Sequence, residues 1–301
     1  MSSQALVESV PNFSEGRRSD VVNRIVEAIA GVPNVRVVDV HMDASHNRAV
    51  VTCLGPPNAV AEGVFRGAAV AAQLIDMNAH QGVHPRIGAT DVIPFVPLRG
   101  VTMDECVALA RRVARRIGEE LRIPVYLYGE AARRPERREL AAIRRGGYEA
   151  LKAEIGMDPS RAPDFGPAEV GSAGATAVGA RFFLIAFNAY LNTDDVAKAR
   201  RIARAVRASS GGLQHVQAIG VLVGGQAQVS MNLTDYRRTP VHRALELVRR
   251  EAARYGLVVT HTELVGLAPL EALAQAAAWY LQIDNFHVGQ VLETHLLDED
   301  P

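Results

Sequence analysis

Phe182-Phe183-Leu184-Ile185-Ala186-Phe187-Asn188 opens the stretch whose reading decides the fold. An unbroken apolar run of this length, closed by Asn188, reads as a buried strand over residues 182–187. The chain then meets Thr193, a residue type that caps helices, and Val196, Ile202 and Val206 follow on one helical face. Residues 216–223 and 227–233 read as two more strands. Thr239-Pro240 starts a helix running through Arg254, with proline in the first turn, where its missing N–H costs nothing. Residues 257–264 close the set. Strand, helix, strand, strand, helix, strand is the order of a split βαβ, ferredoxin-like unit.

The first half of the chain repeats that order. A strand over residues 6–10 ends in Pro11-Asn12, so Asn12 mirrors Asn188. Val21, Ile25, Ala28 and Ile29 mark a helix over residues 20–29, and residues 35–40 and 49–54 read as strands. Pro57 stands near the start of a long helix whose core face is Val60, Val64, Ala68 and Ile75. A strand over residues 91–96 follows. The expected fold class is therefore α/β (α+β): two ferredoxin-like α/β sandwich subdomains, residues 1–180 and 181–301, with mixed sheets and helices on one face. The first half carries an addition. Thr102-x-x-Glu105 is a capping box before a helix that turns Cys106, Leu109, Val113 and Ile117 inward. Residues 125–128 read as a strand and residues 135–155 as an arginine-rich helix. Residues 156–179, rich in Gly, Pro, Ala and Ser, read as a linker or a functional loop.

Composition narrows the class of function. Hydrophobic residues make up 48% and charged residues 22%, a balance that supports a packed core and excludes disorder. Lys plus Arg equals Asp plus Glu at 33 each, so no net field draws the chain to nucleic acid or to an anionic membrane. Two cysteines, Cys53 and Cys106, exclude a disulfide scaffold and fit a reducing compartment. Cys106 falls on an inward helix face and Cys53 lies in a strand without a histidine partner pattern, so neither reads as a nucleophile. The first residues lack the basic and apolar regions of a signal peptide, and no apolar run approaches the ~20 residues that span a bilayer. A cytoplasmic enzyme without nucleic-acid or membrane partners is the expectation.

The sharpest chemical signal is His80-Gln81-Gly82-Val83-His84-Pro85-Arg86-Ile87-Gly88. Proline holds the residue before it in extended backbone, and Gly82 and Gly88 bracket the loop with permissive positions. A histidine presented this way suits proton transfer near neutral pH, and Arg86 suits an anion. A solvated loop histidine is the plain alternative. A zinc site on His80 and His84 is a weaker one, because Gly82 and Pro85 oppose a helix and Gln81 stands where a metalloprotease carries glutamate. Asp43-Ala44-Ser45-His46-Asn47-Arg48 joins two strands; it is either a polar turn or a site in which Asn47 supplies an amide and Arg48 a fork for a carboxylate. Asn12 and Asp91 sit at strand ends, where such sheets build sites. The small-residue stretch Gly166-Pro167-Ala168-Glu169-Val170-Gly171-Ser172-Ala173-Gly174-Ala175 permits close approach of a ligand or serves as a hinge, and it matches no nucleotide-binding pattern. Arg111, Arg112, Arg115 and Arg116 read as a solvated helix face, and His242 as an exposed helix residue.

Taken together these strings resemble the glutamate formiminotransferase family. The likeness begins at Val7-Glu8-Ser9-Val10-Pro11-Asn12-Phe13-Ser14-Glu15-Gly16. It continues through His46-Asn47-Arg48, Leu74-Ile75-Asp76-Met77, His84-Pro85-Arg86-Ile87-Gly88-Ala89-Thr90-Asp91-Val92 and Val125-Tyr126-Leu127-Tyr128-Gly129-Glu130. Ala162-Pro163-Asp164-Phe165-Gly166-Pro167, Gly174-Ala175-Thr176 and Glu263-Leu264-Val265-Gly266-Leu267 extend it over nearly the whole chain.

The resemblance implies two α/β subdomains with a folate groove between them. It implies transfer of a formimino group from N-formiminoglutamate to tetrahydrofolate, the co-substrate, during histidine breakdown, with no metal. His84 would be the essential histidine, and the folate-contacting stretch would begin at Gly166 and take in Pro167, Gly171, Ser172 and Gly174. This chain is one residue shorter between Pro167 and Gly174. His41 stands where some relatives are acidic, so Asp39, His41 and Asp43 receive no acid-base role. Asn12, Asn47 and Asp91 would orient the pterin or the amidine, and Arg48 and Arg86 would hold substrate carboxylates. A homodimer is implied, and a separate cyclodeaminase would be the partner that consumes the product. N-formylglutamate as donor, or a folate-binding protein without catalysis, are the competing readings.

Overall fold

The computed structural model describes residues 5–44, 46–82 and 85–295. It divides into two compact units, Met1–Arg181 and Phe182–Pro301, each with its own hydrophobic core.

In the first unit β1 (Leu6–Ser9) and β2 (Asn12–Phe13) are two pieces of one strand position, interrupted at Pro11, which has no N–H to give a ladder. α1 (Ser19–Ala30), β3 (Arg36–Asp43), β4 (Arg48–Gly55), α2 (Pro57–Leu74) and β5 (Thr90–Arg99) complete the split βαβ order. The strands pair antiparallel in the order β3, β4, β1 with β2, then β5. α3 (Met103–Glu120), β6 (Val125–Gly129), α4 (Leu140–Ile143), α5 (Gly147–Glu154) and β7 (Thr176–Ala180) are the addition. β7 inserts parallel between β5 and β6, so the sheet is mixed. Helix stripes seal the sheet: Ile25 and Ile29 of α1 and Ile117 of α3 are fully buried, each worth about 1.5–3 kcal/mol against exposure. α3 starts at the capping box. Thr102 Oγ1 accepts from the Glu105 N–H at 3.2 Å, and Glu105 Oε2 accepts from the Thr102 N–H at 2.7 Å.

The second unit is the plainer form: β8 (Ile185–Leu191), α6 (Val196–Val206), β9 (Val216–Val223), β10 (Gln226–Leu233), α7 (Val241–Ala253) and β11 (Val259–Val265), followed by α8 (Leu270–Leu281). Its antiparallel order, β11, β8, β10, β9, is the same permutation as the first unit's core. Ile185, Phe187, Ala189 and Leu191 alternate inward along β8 while Asn188 and Tyr190 face the other way, as a period of two requires.

Several expectations are corrected. The end of the expected linker or loop over residues 156–179 is strand: β7 is buried throughout, and small residues such as Ala177, Gly179 and Ala180 disguised a central strand as a loop. The arginine-rich helix is broken into a 3-10 turn at Pro135–Arg137, then α4 and α5, because Gly146 and Gly147 take φ of +78° and +69°. β8 begins three residues later than the apolar run and carries Asn188 mid-strand. Asp195, not Thr193, caps α6, accepting from the N–H groups of Ala197 and Lys198. His242 is buried and stacked on Trp279, with ring centroids 5.0 Å apart. Among the described residues no helix is long and apolar enough to cross a membrane.

Candidate active site

His84, the residue on which the sequence reading centres, lies outside the described residues, as does Val83. The described residues before and after them are tied down by three other segments. Asn47, with φ of +50° in the left-handed region that asparagine tolerates, is the first anchor. Its Oδ1 accepts from the Gly16 N–H at 3.0 Å and its Nδ2 donates to the Gln81 carbonyl at 2.9 Å. His80 is fixed at both ring nitrogens. Nδ1 accepts from Arg86 Nε at 3.1 Å, so Nε2 carries the proton and donates to the Asn47 carbonyl at 3.0 Å. Burial, helped by the neighbouring Arg86 cation, holds the His80 pKa below its ordinary value and keeps the ring neutral. Neither nitrogen remains for a metal. Among the described residues no three His, Cys, Asp or Glu side chains converge as metal ligands.

Beyond Pro85 the backbone is held as firmly. Asp91 Oδ1 accepts from the Ile87 N–H at 2.9 Å, and Ser14 Oγ donates to the Gly88 carbonyl at 2.7 Å. The Gly171–Ala175 end of the small-residue stretch lies alongside: Ala89 N–H donates to Ala173 O at 2.8 Å and Ala175 N–H to Ile87 O at 2.9 Å. Gly88 has to be glycine, since a Cβ there would stand 2.1 Å from the Ala175 carbonyl oxygen. Gly174 therefore borders the site, and Gly171 and Ser172 are exposed beside it. Gly166 lies against Ile123 and Gly118 at the other end of the stretch.

A narrow cleft lined by Ser14, Asn47, Arg48, His80, Arg86 and Asp91 brings most of the predicted polar residues together. Asn12 joins them from β2, accepting at Oδ1 from Arg48 Nη2 while its Nδ2 donates to the Val10 carbonyl at 2.7 Å. Arg86 is committed to protein: Nη2 bonds Glu149 at 2.7 Å and the His80 carbonyl at 3.1 Å, and Nη1 bonds Glu149 at 3.1 Å. It braces the loop against α5. Arg48 is half-buried, and its pKa is pushed down to about 10 by desolvation first and then by the Arg144 cation, against the pull of Asp91 and Asp43. Asp43 itself bonds His46 at 2.5 Å towards the exposed edge.

Arg144 is the residue that sequence reasoning missed. It ends α4 and reaches Asp91 Oδ2 through Nη2. Arg161, itself buried, donates to the carbonyls of Ile143 at 3.3 Å and Arg145 at 2.5 Å, fixing the backbone on both sides of Arg144. The signal was Gly146-Gly147, a pair that ends a helix and lets the chain fold back.

The polar cluster sits on the loops of a ferredoxin-like α/β unit. Residues 6–181 match the formiminotransferase domain, N-terminal subdomain, and residues 186–297 match the formiminotransferase domain. The chain is 52% identical to a glutamate formimidoyltransferase of Thermoplasma acidophilum, over 96% of each chain. It is 43% identical to one of Streptococcus pyogenes, over 97% of this chain and 99% of that one. A formimidoyltransferase-cyclodeaminase of Rattus norvegicus is 48% identical over 94% of this chain, which spans 54% of that longer protein. The chain belongs to the formiminotransferase domain family.

Proposed function

We propose that this protein is a glutamate formimidoyltransferase, moving the formimino group of N-formimino-L-glutamate to N5 of tetrahydrofolate in histidine degradation. What carries the reading is likeness from end to end, both subdomains included, to stand-alone relatives bearing that activity in their names. Tetrahydrofolate is the co-substrate, and the stretch from Gly166 and Pro167 through Gly171, Ser172 and Gly174 is assigned to it. The protein works in the cytoplasm as a homodimer. A separate cyclodeaminase converts the product, a step that the name of the rat relative pairs with this one.

The chemistry fixes what the site has to do. N5 of the folate attacks the amidine carbon and forms a C–N bond, losing its proton. The tetrahedral centre then breaks its bond to the glutamate nitrogen, which leaves readily only when protonated. One imidazole near neutral pKa can take the first proton and return it to the leaving nitrogen, worth ~10²–10⁴-fold. His84 is assigned that shuttle. The described anchors at Asn47, Arg86 and Asp91 hold the chain before and after it, which is the positioning a proton carrier needs. Asn12, Asn47 and Asp91 fix the polar wall, and Arg48 offers a half-buried cation to a substrate carboxylate.

The test is transfer to tetrahydrofolate from N-formiminoglutamate and, in parallel, N-formylglutamate, with wild type and His84→Ala. Turnover of the formimino donor, lost in the variant while folate still binds, is the expected result. Turnover of the formyl donor alone changes the named reaction. Binding of folate without transfer from either donor removes the enzyme reading.

A further inference from the structure

The site holds more positive charge than its own residues answer. Arg48, on β4, and Arg144, at the end of α4, come from distant parts of the first unit's sequence, yet the Arg144 cation is close enough to act on Arg48, and Asp91 acts on Arg48 while pairing with Arg144. Each guanidinium is oriented by one fixed acceptor: Arg48 by Asn12 Oδ1, Arg144 by Asp91 Oδ2. Each leaves its Nε–H buried and without a hydrogen-bond partner among the described residues. Buried donors are nearly always paired, and two such donors on adjacent cations call for an anion with two oxygens. Asp43, the other acid acting on Arg48, is bonded to His46 at the exposed edge, leaving Asp91 as the buried counter-charge. The arrangement is also rigid. Asn12 is pinned to Val10, Asp91 to Ile87, and the backbone around Arg144 to Arg161.

We propose that Arg48 and Arg144 form the cradle for the α-carboxylate of the formimino donor, an inference that rests on the transfer reaction assigned above. The choice among substrate carboxylates follows from distance along the molecules. Asp91, which orients Arg144, also bonds Ile87, three residues beyond His84. The α-carboxylate of N-formiminoglutamate is attached to the carbon that bears the reacting nitrogen. The glutamate carboxylates of tetrahydrofolate lie beyond its aminobenzoyl spacer, far from N5. Clamping the α-carboxylate would fix the amidine relative to the incoming N5 and select glutamate over simple amines. Arg144 is then a specificity-determining residue, and Asp91 a positioning residue acting through it.

The experiment measures initial rates with Arg144→Gln and Arg144→Lys, each against three donors: N-formiminoglutamate, N-formimino-4-aminobutyrate (no α-carboxylate) and N-formimino-2-aminobutyrate (no γ-carboxylate). Losing one charged hydrogen-bonded contact should lower kcat/KM for N-formiminoglutamate about ten- to a hundredfold. The 2-aminobutyrate donor should lose as much. The 4-aminobutyrate donor, having no α-carboxylate to lose, should change less than about twofold, as should KM for tetrahydrofolate. Arg144→Lys keeps a cation beside Asp91, so it separates loss of the fork from collapse of the fold, and circular dichroism reports on the latter. Equal losses with all three donors would overturn the inference, as would a loss confined to donors bearing the γ-carboxylate or a raised KM for tetrahydrofolate. Should wild type transfer nothing from N-formiminoglutamate, the reaction assignment fails and the cradle falls with it. An active wild type with unchanged donor selectivity in both variants sinks the cradle alone.

Discussion

Glu8 carries a penalty that pH switches on. It lies on β1 opposite Leu54 of β4 and Val96 of β5, only 4% exposed. Burial raises its pKa from 4.5 to about 7, and the Arg181 cation offsets only part of that. Below about pH 4.5 the carboxyl is protonated in folded and unfolded chains alike and contributes no difference. As pH rises towards 7 the unfolded chain releases the proton while the folded chain retains it, so stability falls across that window. Above it the penalty is complete, and a shift of this size amounts to about 3 kcal/mol. Glu8→Gln replaces the acid with a neutral group of the same shape. Its urea midpoint, followed by far-ultraviolet circular dichroism, should match wild type near pH 4.5 and exceed it increasingly up to about pH 8.5. Parallel pH profiles for the two proteins, or a variant weaker than wild type in alkali, would refute the reasoning.

Two further outcomes follow from the same structure. Asn47→Ala strands the Gly16 N–H and the Gln81 carbonyl and places a Cβ-bearing residue without a polar side chain at positive φ, so it should destabilise by ~2–4 kcal/mol. Asn47→Gly should recover about 1 kcal/mol of that in thermal melts, and identical melts for the two variants would dismiss the backbone contribution. Burial pushes the Cys53 thiol up to about 12 and the Cys106 thiol up to about 11, so neither should react with a disulfide reagent at neutral pH until the chain unfolds. A thiol titrating in the native protein would contradict the packing of β4 or α3.

Local patterns were legible because their physics is local. Val21, Ile25 and Ile29 mark a helix through a period of 3.6, and Thr102 with Glu105 satisfies its own N-terminal donors without outside help. The split βαβ order was readable twice, since short connections leave few topologies open. Motif residues such as Asn47, Arg48 and Asp91 also stood out, because each carries a polar group that a core would exclude unless something held it. What the sequence could not convey was pairing across distance. β7 reads as a loop in composition, and only burial between two parallel neighbours makes its small residues a strand. Arg86 and Arg144 look alike in a sequence rich in arginine. Tertiary structure sends the first to Glu149 and His80 as a brace, and the second beside Arg48 as an incompletely answered charge. The difference is set by which acceptors the fold brings within hydrogen-bond reach, a property of three-dimensional neighbours rather than of spacing along the chain.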